Sequence, residues 1–156
     1  MNYSFNEARP ALEVFHTGDS VRAYDFLGAH LVYRNDKNGV VFRVWAPTAR
    51  SVSVAGDFNN WNNEANYMYN IGYGVWEVFV EGVKEFCTYK YCIESEYGDR
   101  LMKADPYAFH AQTRPGQASV VYDIESYSWN DSEWFNKRKE NNISSSPMNI
   151  YEIHAG

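Results

Sequence analysis

Long apolar runs and basic clusters are both absent from this 156-residue sequence. No stretch approaches the roughly 20 apolar residues that cross a bilayer, so we expect no membrane partner. The net charge of -6 disfavours binding to the phosphate backbone of nucleic acids. Residues 1–7 have neither a basic start nor an apolar segment, so they do not resemble a signal peptide. These absences predict a cytoplasmic protein without nucleic-acid or membrane partners.

Cysteine is scarce, since the chain has only Cys87 and Cys92, and both lie in one predicted strand. Their odd spacing places the two thiols on opposite faces of that strand, so they cannot form a disulfide with each other. Free thiols are typical of a reducing compartment. The histidines are scattered: His16, His30, His110 and His154. Because no Cys or His cluster has metal-ligand spacing, we expect neither a metal site nor a cofactor.

Motifs that carry catalysis are also missing from the sequence. There is no nucleophile elbow, no phosphate-binding loop, no dinucleotide fingerprint and no metalloprotease helix motif. The chain has 20 acidic residues, yet no carboxylate pair stands in a distinctive sequence frame of the kind that glycoside chemistry would use. We therefore expect no catalytic residue in this chain by itself.

Aromatic residues are abundant, at 17% of the chain, and they favour β-structure. Short alternating segments are separated by turns every 8–12 residues or so, which is the pattern of an antiparallel β-sandwich. In the clearest segment, residues 40–46, Val40, Phe42 and Val44 face one way, while Arg43 faces the other. About seven or eight such segments and no alternation of strands with helices predict an all-β fold, with short helical segments at its flanks.

The flanks of the predicted sandwich differ from its centre in composition. We predict an N-terminal extension at residues 1–20, with a short helix broken by Pro10, and a sandwich at residues 21–123. Residues 124–146 are predicted to form a helical turn, with Asn130 as N-cap, followed by a polar linker at 141–146. The apolar residues 147–156 are predicted to be the first strand of a further domain.

The stretch Ala55-Gly56-Asp57-Phe58-Asn59-Asn60-Trp61 is the strongest candidate for a binding site. A Trp after such a polar, turn-prone run is hard to bury whole, and the neighbouring Asn amides offer donors and acceptors. A flat apolar face beside amides suits a sugar ring. The alternative is that Trp61 folds back and caps its own sandwich, as large aromatic residues often do. Lys90 interrupts an aromatic strand, and its ammonium needs either a partner or water.

Several segments resemble the N-terminal part of bacterial 1,4-α-glucan branching enzymes. They include Val41-Phe42-Arg43-Val44-Trp45-Ala46-Pro47, Gly56-Asp57-Phe58-Asn59-Asn60-Trp61, Tyr89-Lys90-Tyr91, Lys103-Ala104-Asp105-Pro106-Tyr107-Ala108-Phe109, Arg114-Pro115-Gly116-Gln117-Ala118-Ser119-Val120-Val121-Tyr122 and Asn149-Ile150-Tyr151-Glu152-Ile153-His154-Ala155-Gly156. The second of these is shared by the wider carbohydrate-binding modules of family 48. The likeness covers roughly residues 21–156.

The resemblance implies an immunoglobulin-like sandwich that precedes a (β/α)₈ catalytic barrel. The parent enzyme would cleave an α-1,4-glucan, hold the cut chain covalently and transfer it to a 6-hydroxyl in glycogen biosynthesis. Its catalytic carboxylates would lie at the C-terminal ends of barrel strands. The closing segment at 147–156 resembles the start of that barrel, so we expect this chain to be a truncated, non-catalytic part of a transferase.

The resemblance also implies a site for α-1,4-glucans such as glycogen and maltooligosaccharides. In related modules, a Trp at the position of Trp61 and a Lys at the position of Lys90 touch sugar, and Asn59 and Asn60 belong to the same motif. A second stacking Trp found in kinase-subunit modules is not matched, because the corresponding turn contains Gly98-Asp99-Arg100. With one platform, we expect a Kd near the millimolar range, or about 4 kcal/mol.

Three functions remain open from the sequence. The first is a glucan-binding module of a branching enzyme, with Trp61 stacking on sugar, Lys90 donating to hydroxyls, and Asn59 and Asn60 shaping the loop. The second is a structural domain that packs on the catalytic barrel and has no glucan site of its own, with Trp129, Trp134 and Phe135 in the interface. The third is a stand-alone glycogen-sensing interaction module. Exposure of Trp61 favours the first function over the second.

Overall fold

The computed structural model describes residues 5–140, 145 and 147–155, and it confirms the all-β sandwich. The strands within these residues are β1 (Gly28–Arg34), β2 (Lys37–Trp45), β3 (Ala49–Gly56), β4 (Tyr69–Gly72), β5 (Val75–Glu81), β6 (Thr88–Ser95), β7 (Arg100–Lys103), β8 (His110–Ala111) and β9 (Ser119–Val120). The helices are α1 (Phe5–Thr17) and α2 (Ser132–Glu140). Single 3₁₀ turns occupy Ala23–Asp25 and Asp57–Asn59.

The strands form two antiparallel sheets. The first sheet has the order β1-β2-β5-β4, and the second has the order β3-β6-β9-β8. Strand β7 also pairs with β6, beyond the short contact that β9 makes. Each sheet therefore combines strands that are distant in sequence. This arrangement follows from the short turns, which let neighbouring strands either pair directly or cross to the other sheet.

The core lies between the two sheets and is rich in aromatic and β-branched side chains. Phe42 of β2 meets Tyr89 of β6 edge to face, with ring centroids 5.0 Å apart. Val52 and Val54 of β3 are fully buried in the same cluster. The alternation predicted from the sequence is confirmed on this side, because Val40, Phe42 and Val44, which were assigned to one face of β2, all lie in the core.

The outer face of the first sheet is also covered, which the sequence pattern did not predict. Leu12 of α1, Leu27 and Val75 form a second buried cluster against that face. Arg43 lies on the same face and is buried, with its Nε 2.6 Å from an oxygen of Glu77. Because both faces of β2 are covered, the residues from Val40 to Val44 are all buried instead of alternating.

A buried carboxylate joins the long loop after β7 to the core. The Asp105 carboxylate accepts hydrogen bonds from the hydroxyls of Tyr89, at 2.7 Å, and Tyr91, at 3.1 Å. It also accepts one from the backbone N–H of Tyr107 at 2.8 Å. Burial raises the pKa of Asp105, although these hydrogen bonds act in the opposite direction. The two tyrosines therefore keep their hydroxyls satisfied inside the core by fixing the loop.

Two predictions about the helices need correction. Helix α1 runs through Pro10 and is not broken there. Leu12 and Phe15 of α1 pack into the second cluster, and this tertiary packing offsets the hydrogen bond that the proline removes. Helix α2 begins at Ser132, which makes Asp131 and not Asn130 the residue before its first turn. The sequence Asn130-Asp131-Ser132 contains three favoured capping types in a row, so the sequence does not single out one of them.

The chain divides into two units, residues 1–124 and residues 125–156. The second unit contains α2, whose described residues are not buried. Its residues 147–155 have neither helix nor strand, so the predicted first strand of a further domain has not formed here. A β-strand is stabilised by backbone hydrogen bonds to a neighbouring strand. The prediction for residues 147–156 therefore requires such a neighbour. Most of the predicted linker, residues 141–144 and 146, and the final residue 156 lie outside the described residues.

Candidate functional site

The predicted site lies on the outer face of the second sheet. Tyr89 and Tyr91 of β6 point into the core, so Thr88 and Lys90 lie on the opposite, outer face. Ala55 of β3 pairs directly with Lys90, and the candidate loop starts at the next residue. The register between β3 and β6 therefore places the loop and Lys90 at the same end of the sheet.

Gly56 allows the loop to start close to β6. A Cβ atom added at this position would meet the backbone carbonyl oxygen of Thr88 and the ring of Phe58. The backbone of Gly56 is extended, so its importance comes from close approach and not from an unusual dihedral angle. The glycine of the motif thus sets the distance between the loop and the strand that carries Lys90.

The loop turns sharply at two successive residues with positive φ. After the 3₁₀ turn Asp57–Asn59, Asn60 has φ of 54° and Trp61 has φ of 58°. Asparagine tolerates this left-handed conformation, but a bulky residue such as Trp pays a backbone strain of about 1–3 kcal/mol. The Trp61 N–H donates to the Gly56 carbonyl at 2.9 Å and closes the turn.

Asn59 holds the loop together from inside. Its Oδ1 accepts from the Gly56 N–H at 3.0 Å, and its Nδ2 lies 3.0 Å from the Val54 carbonyl oxygen. The same Nδ2 lies 2.7 Å from Oδ1 of Asn66 and 3.1 Å from the carbonyl oxygen of Asn62. The amide of Asn59 is therefore engaged with the loop itself. The structure assigns it the shaping of the loop, and its predicted contact with sugar stays a prediction.

Asp57 connects the Trp61 side chain to β6. Its Oδ2 accepts hydrogen bonds from both the backbone N–H and the hydroxyl of Thr88, each at 2.7 Å. Its Oδ1 accepts from the Trp61 indole Nε1–H at 3.2 Å. Slight burial acts to raise the pKa of Asp57, but these hydrogen bonds outweigh it and hold the pKa below its ordinary value. A charged carboxylate thus orients the indole.

The Trp61 side chain is 40% exposed and is not part of either buried cluster. Phe58, three residues earlier, takes the place against the core that the alternative interpretation gave to Trp61. The Phe58 ring packs on Phe42 with centroids 5.6 Å apart. In this loop, Phe58 therefore makes the apolar contact with the core, and the Trp61 ring remains accessible to solvent.

Lys90 is half-buried on the outer face of β6. Within the part of the chain that the structure describes, its ammonium has no hydrogen bond and no ion pair. Thr88, which binds Asp57, lies two residues away on the same face, or roughly 7 Å along the strand. A half-buried ammonium without a protein partner can donate to a ligand oxygen.

The structure brings together three of the four predicted site residues at one surface. Trp61 and Asn60 are exposed on the loop, and Lys90 lies on the adjoining strand. Asn59 lies below them in the loop interior. Sequence reasoning missed the roles of Asp57 and Thr88, which fix the indole. The available signal for Asp57 was its position, four residues before a Trp whose indole N–H needs an acceptor. No such local signal exists for Thr88, because it is 31 residues away from Asp57.

The described residues contain no group of three or more His, Cys, Asp or Glu side chains that could hold a metal ion. Cys87 and Cys92 are both free thiols, as predicted. No helix in the described part of the chain has the length and apolar character needed to cross a membrane.

Comparison with known families gives one clear match for the sandwich. Residues 26–108 match the family model described as carbohydrate-binding module 48, the isoamylase N-terminal domain. The matched range contains the whole candidate loop and Lys90, and it covers more than half of the chain.

Two curated relatives are similar over almost the entire chain. The 1,4-alpha-glucan branching enzyme GlgB of Bacillus cytotoxicus is 46% identical over 146 residues, which cover 93% of this chain and 23% of the relative. The enzyme of the same name from Bacillus cereus strain Q1 is 44% identical over 143 residues, or 91% of this chain and 22% of the relative. The chain therefore spans less than a quarter of the length of these relatives.

A solved structure shares the fold. A Salmonella typhimurium protein assigned as an alpha amylase superposes with a TM-score of 0.53 at 25% identity. The match covers 70% of this chain and 17% of that protein. The sandwich thus recurs as a small part of a much longer chain.

Proposed function

Because the chain belongs to the carbohydrate-binding module 48 family, we propose that it binds α-1,4-glucan as the N-terminal domain of a glycogen branching enzyme. The proposed ligands are glycogen and maltooligosaccharides, and the proposed contacts are Trp61 and Lys90, with Asn60 at the rim and Asn59 shaping the loop. The similarity to branching enzymes along nearly the full chain supports the choice of glucan.

The observation that carries this proposal is the exposed indole of Trp61. Its ring is oriented by Asp57, while Phe58 fills the core position beside it. An aromatic ring held in place before the ligand arrives loses little conformational entropy on binding. Its apolar face complements the C–H face of a glucose ring, and the remaining partners are polar groups suited to hydroxyls.

Lys90 supplies the polar partner of this platform. Its ammonium carries three donors, and no described protein group uses them. A neutral sugar offers hydroxyl oxygens as acceptors without forming an ion pair, so the interaction is directional but modest in strength. One aromatic platform and one donor give an expected Kd near the millimolar range, which corresponds to about 4 kcal/mol.

A titration with maltoheptaose, followed by backbone amide NMR, tests the proposal. We expect saturable shifts at residues 57–62 and 88–92, and Trp61→Ala should remove them. Trp129→Ala is the matched control because Trp129 is also an exposed Trp but lies in the second unit. It should leave the shifts unchanged.

The opposite result is equally informative. If the wild-type chain shows no shifts at up to about 10 mM maltoheptaose, any affinity is weaker than about 2.7 kcal/mol, and the proposed function is wrong. Equal loss in Trp61→Ala and Trp129→Ala would also contradict a site at the loop.

The proposal extends to the whole protein through the relatives. We propose that the parent protein is a cytoplasmic transferase that forms α-1,6 branches by moving cleaved α-1,4-glucan chains. The chemistry would lie in a catalytic barrel, which would be the partner of this domain within the same chain. The glucan module would hold long substrate chains near that barrel.

A second candidate function is a structural role against that barrel, without a glucan site. It is favoured by the exposed apolar side chains of the second unit. They are Tyr127, Trp129, Trp134, Phe135, Met148, Ile150, Tyr151 and Ile153. Such a set is typical of a surface that is buried in a larger assembly. Absence of maltoheptaose shifts in the titration above would favour this role over glucan binding.

A further inference from the structure

Three aromatic residues of the described chain have positive φ angles, namely Trp61, Tyr73 and Phe86. Such angles are unfavourable for bulky residues, so each position needs a compensating reason. Tyr73 has one within the fold, since its ring stacks on His16 at 4.2 Å and its carbonyl accepts the Trp45 indole N–H. Trp61 has one in the proposed sugar platform. Phe86 has a ring contact with Tyr122 alone among the described residues, and its turn does not need a side chain.

Phe86 stands where the turn itself favours glycine. The turn from Lys84 to Cys87 is closed by the Cys87 N–H and the Lys84 carbonyl, with the two atoms 3.3 Å apart. Phe86 is its third residue, with φ of 69°, a position that type II turns reserve for Gly or Asn. The turn is anchored by the Phe86 N–H, which donates to the Val121 carbonyl at 2.8 Å. Glycine would make the same backbone bonds, so the fold alone does not require a phenyl ring here.

The Phe86 ring is 64% exposed. It meets the Tyr122 ring edge to face, with centroids 5.9 Å apart. Tyr122 in turn contacts the ring of His110 at 5.3 Å. We name these three residues, Phe86, Tyr122 and His110, the aromatic triad.

The aromatic triad lies on the same face as the candidate site. His110 pairs with Val120, and Val120 pairs with Thr88, so the side chains of His110, Val120 and Thr88 share the outer face of the second sheet. Tyr122 and Phe86 join His110 there through their ring contacts. Thr88 is also the residue that holds Asp57 and, through it, Trp61. The loop and the aromatic triad therefore flank Thr88 on opposite sides. Two strand spacings, roughly 10 Å, separate Thr88 from His110.

We propose that the aromatic triad is a second contact for the same α-glucan chain, on the far side of Thr88 from Lys90. This inference rests on the proposed glucan binding at Trp61. Phe86 provides the apolar platform, and the edge-to-face contact with Tyr122 orients the Phe86 ring. The Tyr122 hydroxyl and the His110 ring nitrogens have no hydrogen bond within the described residues, so both can bind sugar hydroxyls. A glucan must be several units long to reach both platforms.

The length of the glucan distinguishes the two contacts in an experiment on the 156-residue protein. Maltotriose and maltoheptaose are titrated against the wild type, Phe86→Gly and Trp61→Ala, with amide NMR as the readout. Phe86→Gly removes the ring and suits the positive φ, so it leaves the turn intact. We expect it to weaken maltoheptaose binding about five- to tenfold and to leave maltotriose binding unchanged.

The control is Tyr97→Ala, because Tyr97 is an almost fully exposed aromatic residue in another turn of the same sheet. It should bind both sugars like the wild type. Maltoheptaose affinity that is equal in Phe86→Gly and the wild type would overturn the second contact. Absence of any Trp61-dependent binding to either sugar would instead reject the proposed function, and the second contact with it. The two failures are therefore distinguishable.

Discussion

The two outer faces of the sandwich differ in what covers them. On the first sheet, α1 and the segment around Phe26 cover the surface, and the Arg43–Glu77 pair is buried there. Phe26 contributes a ring 4.6 Å from the Arg43 guanidinium and a carbonyl that accepts from it at 3.2 Å. On the second sheet, the outer face is covered only in part: Ala55 and Cys92 are buried there, but Lys90 is half-buried and the Phe86 ring is exposed. Arg43 is therefore paired on the covered face, whereas the Lys90 ammonium has no hydrogen bond and no ion pair within the described residues.

This contrast shows how the same strand pattern serves two purposes. Burial of a charge requires a partner and hydrogen bonds, which Glu77 and the Phe26 carbonyl give to Arg43. Lys90 is only half-buried, so its desolvation penalty is smaller than that of Arg43, and its ammonium does not require a protein partner. Substitutions on the two faces should therefore separate stability from binding.

The largest expected effect is on the covered face. Glu77→Ala leaves the Arg43 guanidinium buried without its carboxylate, so we expect the free energy of unfolding to fall by about 3–5 kcal/mol. Glucan affinity of the folded fraction should not change. Urea unfolding measures the loss, and Glu81→Ala is the control because Glu81 pairs with Lys37 at the surface. The Glu81→Ala substitution should lower the free energy of unfolding by less than about 1 kcal/mol. Equal losses in both variants would contradict the contrast between the faces.

An intermediate effect is expected at Gly56, where the candidate loop leaves β3. Gly56→Ala pushes a methyl group against the Thr88 carbonyl, so we expect a loss of about 1–3 kcal/mol in the free energy of unfolding. Because the shift also moves Asp57 and Trp61, maltoheptaose affinity should fall as well. Gly82→Ala is a useful control, since a Cβ there meets nothing within 4 Å, although its φ is positive. Unchanged glucan affinity in Gly56→Ala would show that the loop does not depend on this contact.

The smallest effect concerns the charge of Asp57. Its folded pKa is lower than its unfolded pKa, so its charge contributes stability that is fully present above the unfolded value, near pH 4. That contribution is lost as the pH falls through the folded value. We expect Asp57→Asn to cost about 1 kcal/mol or less at pH 7.

The measurement for Asp57 is the difference in unfolding free energy between the wild type and Asp57→Asn, followed over pH. The difference should be constant from about pH 8 to pH 5 and should shrink below about pH 4. Maltoheptaose affinity at pH 7 should also fall, since the Trp61 indole loses its acceptor. A stability difference that stays the same down to about pH 2 would mean that the charge does not hold the loop.

Much of the fold was predictable because strand periodicity is a local property. The alternation in residues 40–46 identified Val40, Phe42 and Val44 as core residues. The hairpin turn before β2 is of the same local kind, since Asn35 and Asp36, both with positive φ, are residue types that favour it. The covering of the first sheet by α1 was not predicted. It depends on contacts between Leu12, Leu27 and Val75, which are up to 63 residues apart, and no local pattern records such contacts.

The candidate site was predictable only in part. Trp61 and Lys90 stand out in the sequence because a Trp in a polar turn and a Lys in an aromatic strand are locally unusual. The network that orients them is not visible locally, because Asp57 and Thr88 meet only when β3 pairs with β6. The aromatic triad likewise depends on the pairing of β6, β9 and β8.

The sequence by itself determined the all-β class, the core faces of the main strands, the free thiols and the loop that carries the candidate platform. Each of these follows from residue type and spacing over a few positions. Only the tertiary structure decided that Phe58 packs inward while Trp61 stays exposed, that Arg43 is buried with Glu77, and that Phe86 shares a face with the loop. These outcomes depend on which distant strands pair and which faces are covered, and burial, pairing and strain at a residue are set by those neighbours.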